Sequence, residues 1–206
     1  MLLLDEIRQA FGVHEPRCIS EPGRRRAAVA VVLRERAGTP EVLFIERAEH
    51  EGDPWSGHMA FPGGRVDPED ESPRRAAERE TREEVGVDLA GAESLGRLDD
   101  MQGHHAAASP SLVISAFVYH VEKPLRLEPN SEVADAFWFP VGSLLDPDRH
   151  VQRARRESAG PQFPGILVGV PERQVVWGLT YRFLEGFFQI VGRPLPDRWQ
   201  TTRGQG

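Results

Sequence analysis

Three glutamates suggest the first chemistry in this chain. Glu80, Glu83 and Glu84 stand at i, i+3 and i+4 in the run "SPRRAAERETREEVGV", a spacing that places all three on one face of a helix. The neighbours of Glu80 three and four residues back are Ala77 and Ala76, and those ahead are Glu83 and Glu84, so none is basic. Like charges four residues apart disfavour a helix unless positive charge arrives from elsewhere. Three carboxylates so spaced can converge on one point, and oxygen-only clusters suit a hard divalent cation such as Mg²⁺. Other charges in the run read as a solvated face. Arg79 can pair with Glu83 and Arg82 with Glu78, each pair contributing roughly 0.2–0.5 kcal/mol.

Such a cluster needs a helix with fixed ends and something facing it. Ser72 can cap the helix, Pro73 fits a first turn that needs no donor, and Gly86 can end it. Just upstream, Gly63 and Gly64 permit close approach of another group, so the Gly63 carbonyl could complete an oxygen shell. The pattern predicts a loop–helix–loop metal cup.

The surrounding segments supply a scaffold. "AAVAVVLRE" from Ala27 reads as a buried strand and "EVLFIER" as its hairpin partner, followed by a loop "EHEGDPWSG" and a short extended "HMAF". "SLGRLDD" and "LVISAFVYHV" read as strands separated by a polar loop, "MQGHHAAASP". "EVADAFWFPVGSLL" reads as a strand entering a short helix, "RHVQRARRESAGPQFPG" as a mobile basic loop, and "VVWGLTYRFLEGFFQIVG" as an apolar closing helix, set at 177–192. Leu3, Leu4, Ile7 and Phe11 have helical spacing, so residues 1–25 are expected to be an N-terminal helical extension. The expected fold class is α/β (α+β), one domain over 1–206 with a mixed β-sheet sandwiched between α-helices.

Bulk properties narrow the function. The chain has 206 residues, 39% of them hydrophobic, and a formal charge of −7, which argues against a surface gripping a nucleic-acid backbone. An anionic substrate then needs local help from a cation or a few arginines. Cys18 is the only cysteine, so a single chain can form no disulfide and no cysteine-based zinc site; a reducing cytoplasm is the expected setting. The apolar start meets Asp5 too early for a signal core or a membrane span.

The glycines and the acidic run together closely resemble the signature of the Nudix hydrolase family. "RETREEVGV", Arg79 to Val87, matches its second half except that Thr81 occupies an apolar position. The first half carries one extra residue, so either Glu71 or Asp70 occupies the place of the family's first glutamate. The resemblance implies hydrolysis of a diphosphate linked to another group, with Mg²⁺ or Mn²⁺ as cofactor. It implies Glu80, Glu83 and Glu84 as metal ligands assisted by the Gly63 carbonyl, and Arg79 and Glu71 as the ties between loop and helix, with Arg79 orienting its neighbouring glutamate. The general base is then Glu84 or a later glutamate, for which Glu132 is the candidate.

The "AFPGG" lead-in, the extra spacer residue and "VVWGLTYRFL" resemble the coenzyme A diphosphatase branch. Its upstream signature is only partly kept, because Ala48 replaces a serine and Asp53 lies near an expected arginine. Arg47 and Arg65 are the candidate phosphate contacts. The expected substrate is coenzyme A or a related nucleoside diphosphate derivative, followed by nucleoside diphosphate sugars, ADP-ribose or nucleoside triphosphates; a catalytically inactive ligand-binding module is the alternative. Homodimers are common in the family, although the sequence marks no interface. His104 and His105 fall where substrate contacts occur, and His58 reads as structural. Trp138 and Trp177 read as core, and Trp55 as the tryptophan to test as a lid.

Overall fold

The computed structural model describes residues 2–21, 23–50, 56–103, 112–122, 126–154 and 162–196. In chain order these form α1 (Leu4–Val13), β1 (Arg25–Arg36), β2 (Thr39–Arg47), β3 (Met59–Ala60), β4 (Gly63–Arg65), α2 (Pro73–Val85), β5 (Glu93–Arg97), β6 (Met101–Gly103), β7 (Leu112–Val121) and β8 (Val133–Pro140). Two 3-10 turns, Val141–Leu145 and Pro147–Arg149, lead to β9 (His150–Ala154), β10 (Gln162–Leu167), β11 (Val175–Trp177) and α3 (Gly178–Ile190).

β1 is the spine of a mixed sheet. Its Arg25–Arg34 stretch runs parallel to β7, which puts Ala28 beside Ser115. On its other edge, the first half of β1 pairs antiparallel with β4 and the last four residues with β2. β3 and β8 flank β2, while β5 and β6 add to β7. The alternation that defines a strand divides the core between two faces. Ala28, Ala30, Val32, Leu43, Ile45, Phe117 and Tyr119 pack under α2, together with its Ala76 and Ala77. Val31, Leu33, Val42, Phe44, Ile114, Ala116 and Val118 face the opposite layer of α1, α3 and β10. The expected sandwich of helices around a mixed sheet is therefore the observed architecture.

Side-chain size sets the spacing on the first face. Alanines at 28 and 30 on β1 meet alanines at 76 and 77 on α2, all fully buried, so the helix lies close against β1 and β4. The ends of α2 match the sequence reading. The Ser72 hydroxyl accepts from the Arg75 amide at 3.3 Å, Pro73 opens the first turn, and Gly86, with φ 73°, donates its amide to the Arg82 carbonyl at 3.0 Å.

Several boundaries differ from expectation. Met101–Gly103, read as loop, is strand β6 paired with β7. The stretch read as a mobile basic loop instead supplies β9 and much of β10, which join β11 in a second, three-stranded antiparallel sheet. Val151, Phe163 and Ile166 belong to that sheet, but Arg153, Pro164 and Gly165 interrupt any apolar alternation that would mark its strands. Val175–Trp177, read as the start of the closing helix, is β11, and the helix proper starts at Gly178. In α1, Leu4, Ile7 and Phe11 are buried as expected, while Leu3 is 45% exposed and Leu2 takes the inward place. Among the described residues no helix is long and apolar enough to cross a membrane. Trp55, Asp53, His104, His105 and residues 155–161 of the basic segment lie outside the described residues.

Because Ile7 of α1 is fully buried in the α3-side core, Ile7→Ala is expected to lower unfolding free energy by roughly 2–5 kcal/mol, measured by urea denaturation. A change below about 0.5 kcal/mol, the level of a surface substitution, would show that α1 is not integral to the core.

Candidate active site

The acidic face of α2 meets the turn that enters β4. The even-numbered residues of β1 bond to this turn, Ala30 donating to the Pro62 carbonyl at 2.9 Å and Arg26 accepting from the Val66 amide at 3.0 Å. In an antiparallel ladder that alternation turns the intervening residue, Gly63, away from β1. Its amide donates to Glu84 Oε2 at 2.8 Å. A side chain at Gly63, where φ is 149°, would reach within 2.5 Å of the Val29 Cα. At Gly64 the space that a Cβ would occupy is filled by the Glu80 carboxyl, whose carbon lies 2.5 Å from that point. The paired glycines therefore do different things: the first turns a main-chain donor onto one glutamate, and the second makes room for another.

The three glutamates have distinct environments. Glu84 is 3% exposed. Burial pushes its carboxyl up to about 7, the Gly63 amide opposes the rise, Glu80 adds to it, and the charges of Arg47 and Glu132 reach it with opposite signs. Glu80 is half-buried and its pKa is also raised, first by burial, against the opposing pull of Arg79. Glu83 is largely solvent-exposed. The sequence reading has these carboxylates converging on one point, but here they do not. Among the described residues no three acidic, histidine or cysteine side chains form a ready metal cluster. The reason is the competition among partners: Arg79 Nη1 takes Glu80 at 3.0 Å and Glu83 at 3.2 Å, while the Gly63 amide takes Glu84.

Arg79 acts as the hub of this corner. Besides the two glutamates, its Nε and Nη2 reach the two oxygens of Asp70 at 3.1 and 3.0 Å, and Nη2 also donates to the Arg65 carbonyl at 3.3 Å. This two-point fork holds Asp70 below the usual carboxylate range and ties the loop to the helix. The choice between Asp70 and Glu71 is thus decided by contact. The Glu71 side chain is 85% exposed and comes no closer than 3.9 Å to Arg75, so the loop-to-helix tie falls to Asp70 and the inserted residue is accommodated after it.

Other expected pairs rearrange. Glu78 does not pair with Arg82; it accepts from Arg74 Nε at 3.0 Å, Arg75 Nη1 at 2.8 Å and the Tyr119 hydroxyl at 2.9 Å. Spacing along one helix could not show that a tyrosine from β7 competes for this acid. Thr81, in the family's apolar position, is fully buried and donates its hydroxyl to the Ala77 carbonyl at 2.6 Å, so its polar atom costs little.

Two candidates from distant segments come near Glu84. After α2, the Glu128 and Asn130 amides donate to the Val85 and Glu84 carbonyls, each at 2.9 Å, and the Glu132 carbonyl accepts from the Ala48 amide at 2.8 Å. That path places Glu132 beside the end of β2, where Arg47 lies. Arg65, exposed on β4, has no ion pair among the described residues and contributes its carbonyl to Arg79. The donor set facing the Gly63–Gly64 turn is entirely oxygen, and the charge of Glu80 adds to the raised proton affinity of the buried Glu84, which fits a hard divalent cation.

Comparison with known proteins gives a concordant assignment. A family model described as NUDIX domain matches residues 23–159. An uncharacterized protein of Schizosaccharomyces pombe is 36% identical over 161 residues, 68% of this chain and 49% of its own, so the chain spans about half that relative's length. NudL of Yersinia pestis, described as an uncharacterized Nudix hydrolase, is 30% identical over 171 residues, covering 81% of this chain and 80% of its own. A MutT/nudix family protein from Enterococcus faecalis shares the fold with a TM-score of 0.56 at 19% identity, over 93% of this chain and 70% of that one.

Two outcomes follow from the corner geometry. Asp70→Asn should destabilise the protein by about 1–3 kcal/mol, as expected for losing a charged hydrogen-bond partner of a half-buried guanidinium, whereas Glu71→Gln should stay within about 0.5 kcal/mol of wild type; thermal melts of both compare them directly. Glu84 gives a pH signature in metal-free protein. Its folded pKa lies above the ordinary carboxylate value, at about 7, so the folded state binds the extra proton and stability contributed by Glu84 falls as pH rises through that interval. Denaturation midpoints from pH 4.5 to 8 should show this slope in wild type and lack it in Glu84→Gln.

Proposed function

The chain belongs to the Nudix family, and from that premise we propose that it hydrolyses the diphosphate linkage of a nucleoside diphosphate derivative, with Mg²⁺ or Mn²⁺ as cofactor. The observation that carries this reading is the pairing of a buried Glu84, held by the Gly63 amide, with a Glu80 seated over Gly64. Burying two neighbouring carboxylates costs several kcal/mol unless their charge is used.

Glu80, Glu83 and Glu84, with the Gly63 carbonyl, would hold the cation. Bound there, it would neutralise phosphate oxygens and lower the pKa of a water that attacks phosphorus. The remaining work belongs to the chain. Arg79 fixes the rotamer of Glu80 and, through Asp70, the distance between loop and helix. Arg47, whose charge is felt at Glu84, and the exposed Arg65 bind phosphate oxygens as bidentate donors. Glu84, buried against the glycine turn, is the proposed general base; Glu132, with its main chain bonded beside Arg47, is the second candidate.

Coenzyme A stands first among the substrates, on the "AFPGG" lead-in and the extra spacer residue, with ADP-ribose, sugar nucleotides and nucleoside triphosphates after it. A reducing cytoplasm is the proposed setting, in keeping with the single free cysteine, Cys18.

Incubation with coenzyme A, ADP-ribose, sugar nucleotides and dinucleoside polyphosphates in the presence of Mg²⁺, with products read by mass spectrometry, tests the reading. At least one diphosphate should be cut, and Glu84→Gln should lower kcat/KM by about 100-fold or more, the scale of a lost general base. Equal rates for wild type and variant across the panel would leave a ligand-binding module as the better account.

A further inference from the structure

Of the two tryptophans read as core on sequence, one lies elsewhere. Trp138 packs on the α2-side core with the Arg34 guanidinium 4.4 Å from its ring centre. Trp177 belongs to neither core cluster of the described residues and is half-buried. It ends β11, where it pairs with Gly165 of β10. The His58 ring meets it edge-on with centroids 4.7 Å apart, and the Phe163 ring lies tilted at 6.0 Å. His58 and Phe163 are likewise half-buried. Three aromatic rings thus share one partly exposed ledge rather than filling the interior.

The ledge is continuous with the proposed phosphate site. The Arg47 amide donates to the His58 carbonyl, and the Gly57 amide donates to the Arg47 carbonyl, both at 3.1 Å. Two residues, Gly57 and His58, therefore oppose one, the pattern of a β-bulge with a positive-φ glycine, which bends a strand end and re-aims its side chains; φ at Gly57 is 68°. The bulge puts His58 directly opposite Arg47, whose charge reaches Glu84. Thr180 of α3 donates its hydroxyl to the Met59 carbonyl at 3.3 Å, tying the start of α3 to β3, which follows His58 directly. The order along the surface is thus carboxylates, arginine, histidine, tryptophan.

We infer that Trp177, with His58 and Phe163 buttressing it, is a stacking platform for the planar base of the nucleotide substrate. The inference rests on the diphosphate-hydrolysis reading and assigns the other end of the same substrate. Aromatic faces receive any base through stacking, with little sequence preference, and the short β2–β3 span sets the base beside the arginine that takes its phosphates. A diphosphate lacking a base would gain nothing from this ledge.

The test uses the full chain and two probes, AMP and ribose 5-phosphate, which differ by the base. In a ¹⁵N-labelled protein, AMP should shift the Trp177 indole N–H resonance, assigned by its loss in Trp177→Phe, and ribose 5-phosphate should leave it in place. With the substrate found by the panel, Trp177→Leu should raise KM about tenfold, in line with one lost base stack, the loss falling on KM rather than kcat, and Trp177→Tyr should restore it. Equal shifts from both probes, no shift from AMP, or an unchanged KM in Trp177→Leu would overturn the platform. The wild-type titration decides the matter even where a variant fails to fold. A protein that cuts no diphosphate yet shows the AMP-specific shift keeps the platform and loses the enzymatic reading; one that cuts diphosphates with KM unmoved by Trp177→Leu does the reverse.

Discussion

A single buried carboxylate governs the arrangement of the site. Glu84 sits at the seam between α2 and the glycine turn, with one main-chain donor, the Gly63 amide, to stabilise its charge. That donor is available because β1 takes its hydrogen bonds from the residues on either side of Gly63. The helix comes within reach because alanines line both sides of its contact with the sheet. Backbone register, side-chain size and electrostatics therefore converge on one atom pair. A larger residue at position 28 or 76 would move the carboxylate away from the turn without touching either group.

Charge is distributed around this seam with a clear division. Arg79 spends its donors on Asp70, Glu80, Glu83 and the Arg65 carbonyl, so it organises the corner and has little left for a ligand. Arg74 and Arg75 are engaged by Glu78. The arginines proposed for an anionic substrate, Arg47 and Arg65, instead lie at the ends of β2 and β4. The overall negative charge of the chain is thus compatible with a phosphate-binding site, because only a few residues have to be arranged against it.

The parts of this design that depend on local sequence were legible before the structure. Ser72, Pro73 and Gly86 marked the ends of α2 because capping needs only residues adjacent in the chain. The strands β1, β2 and β7 were evident from continuous apolar runs. The family resemblance singled out Glu80, Glu83 and Glu84, and the structure places them at one corner without gathering them into a cluster. Whatever depends on tertiary competition was not legible. Tyr119 draws Glu78 from its expected helical partner, and Arg79 selects Asp70 over Glu71 because only Asp70 lies within reach of the fork. The second sheet was hidden because its strands are short and interrupted by Arg153, Pro164 and Gly165, and Trp177 reads as core on sequence because apolar character does not reveal which side of a strand end faces solvent.

The parallel pairing of β1 with β7 has a temporal consequence. Ala28 lies beside Ser115, so the central ladder joins segments separated by the entire glycine turn and α2. Contacts between such distant parts of a chain form slowly, since a long loop must close before they contribute. On the ribosome, the helix bearing the glutamates emerges well before the strand that completes the surface beneath it. β1 and β4, which supply Ala28, Ala30 and the Gly63 amide, precede α2 in the chain, so the partners of its alanine stripe and of Glu84 are synthesised first, while the sheet that supports the corner is complete only once β7 pairs with β1.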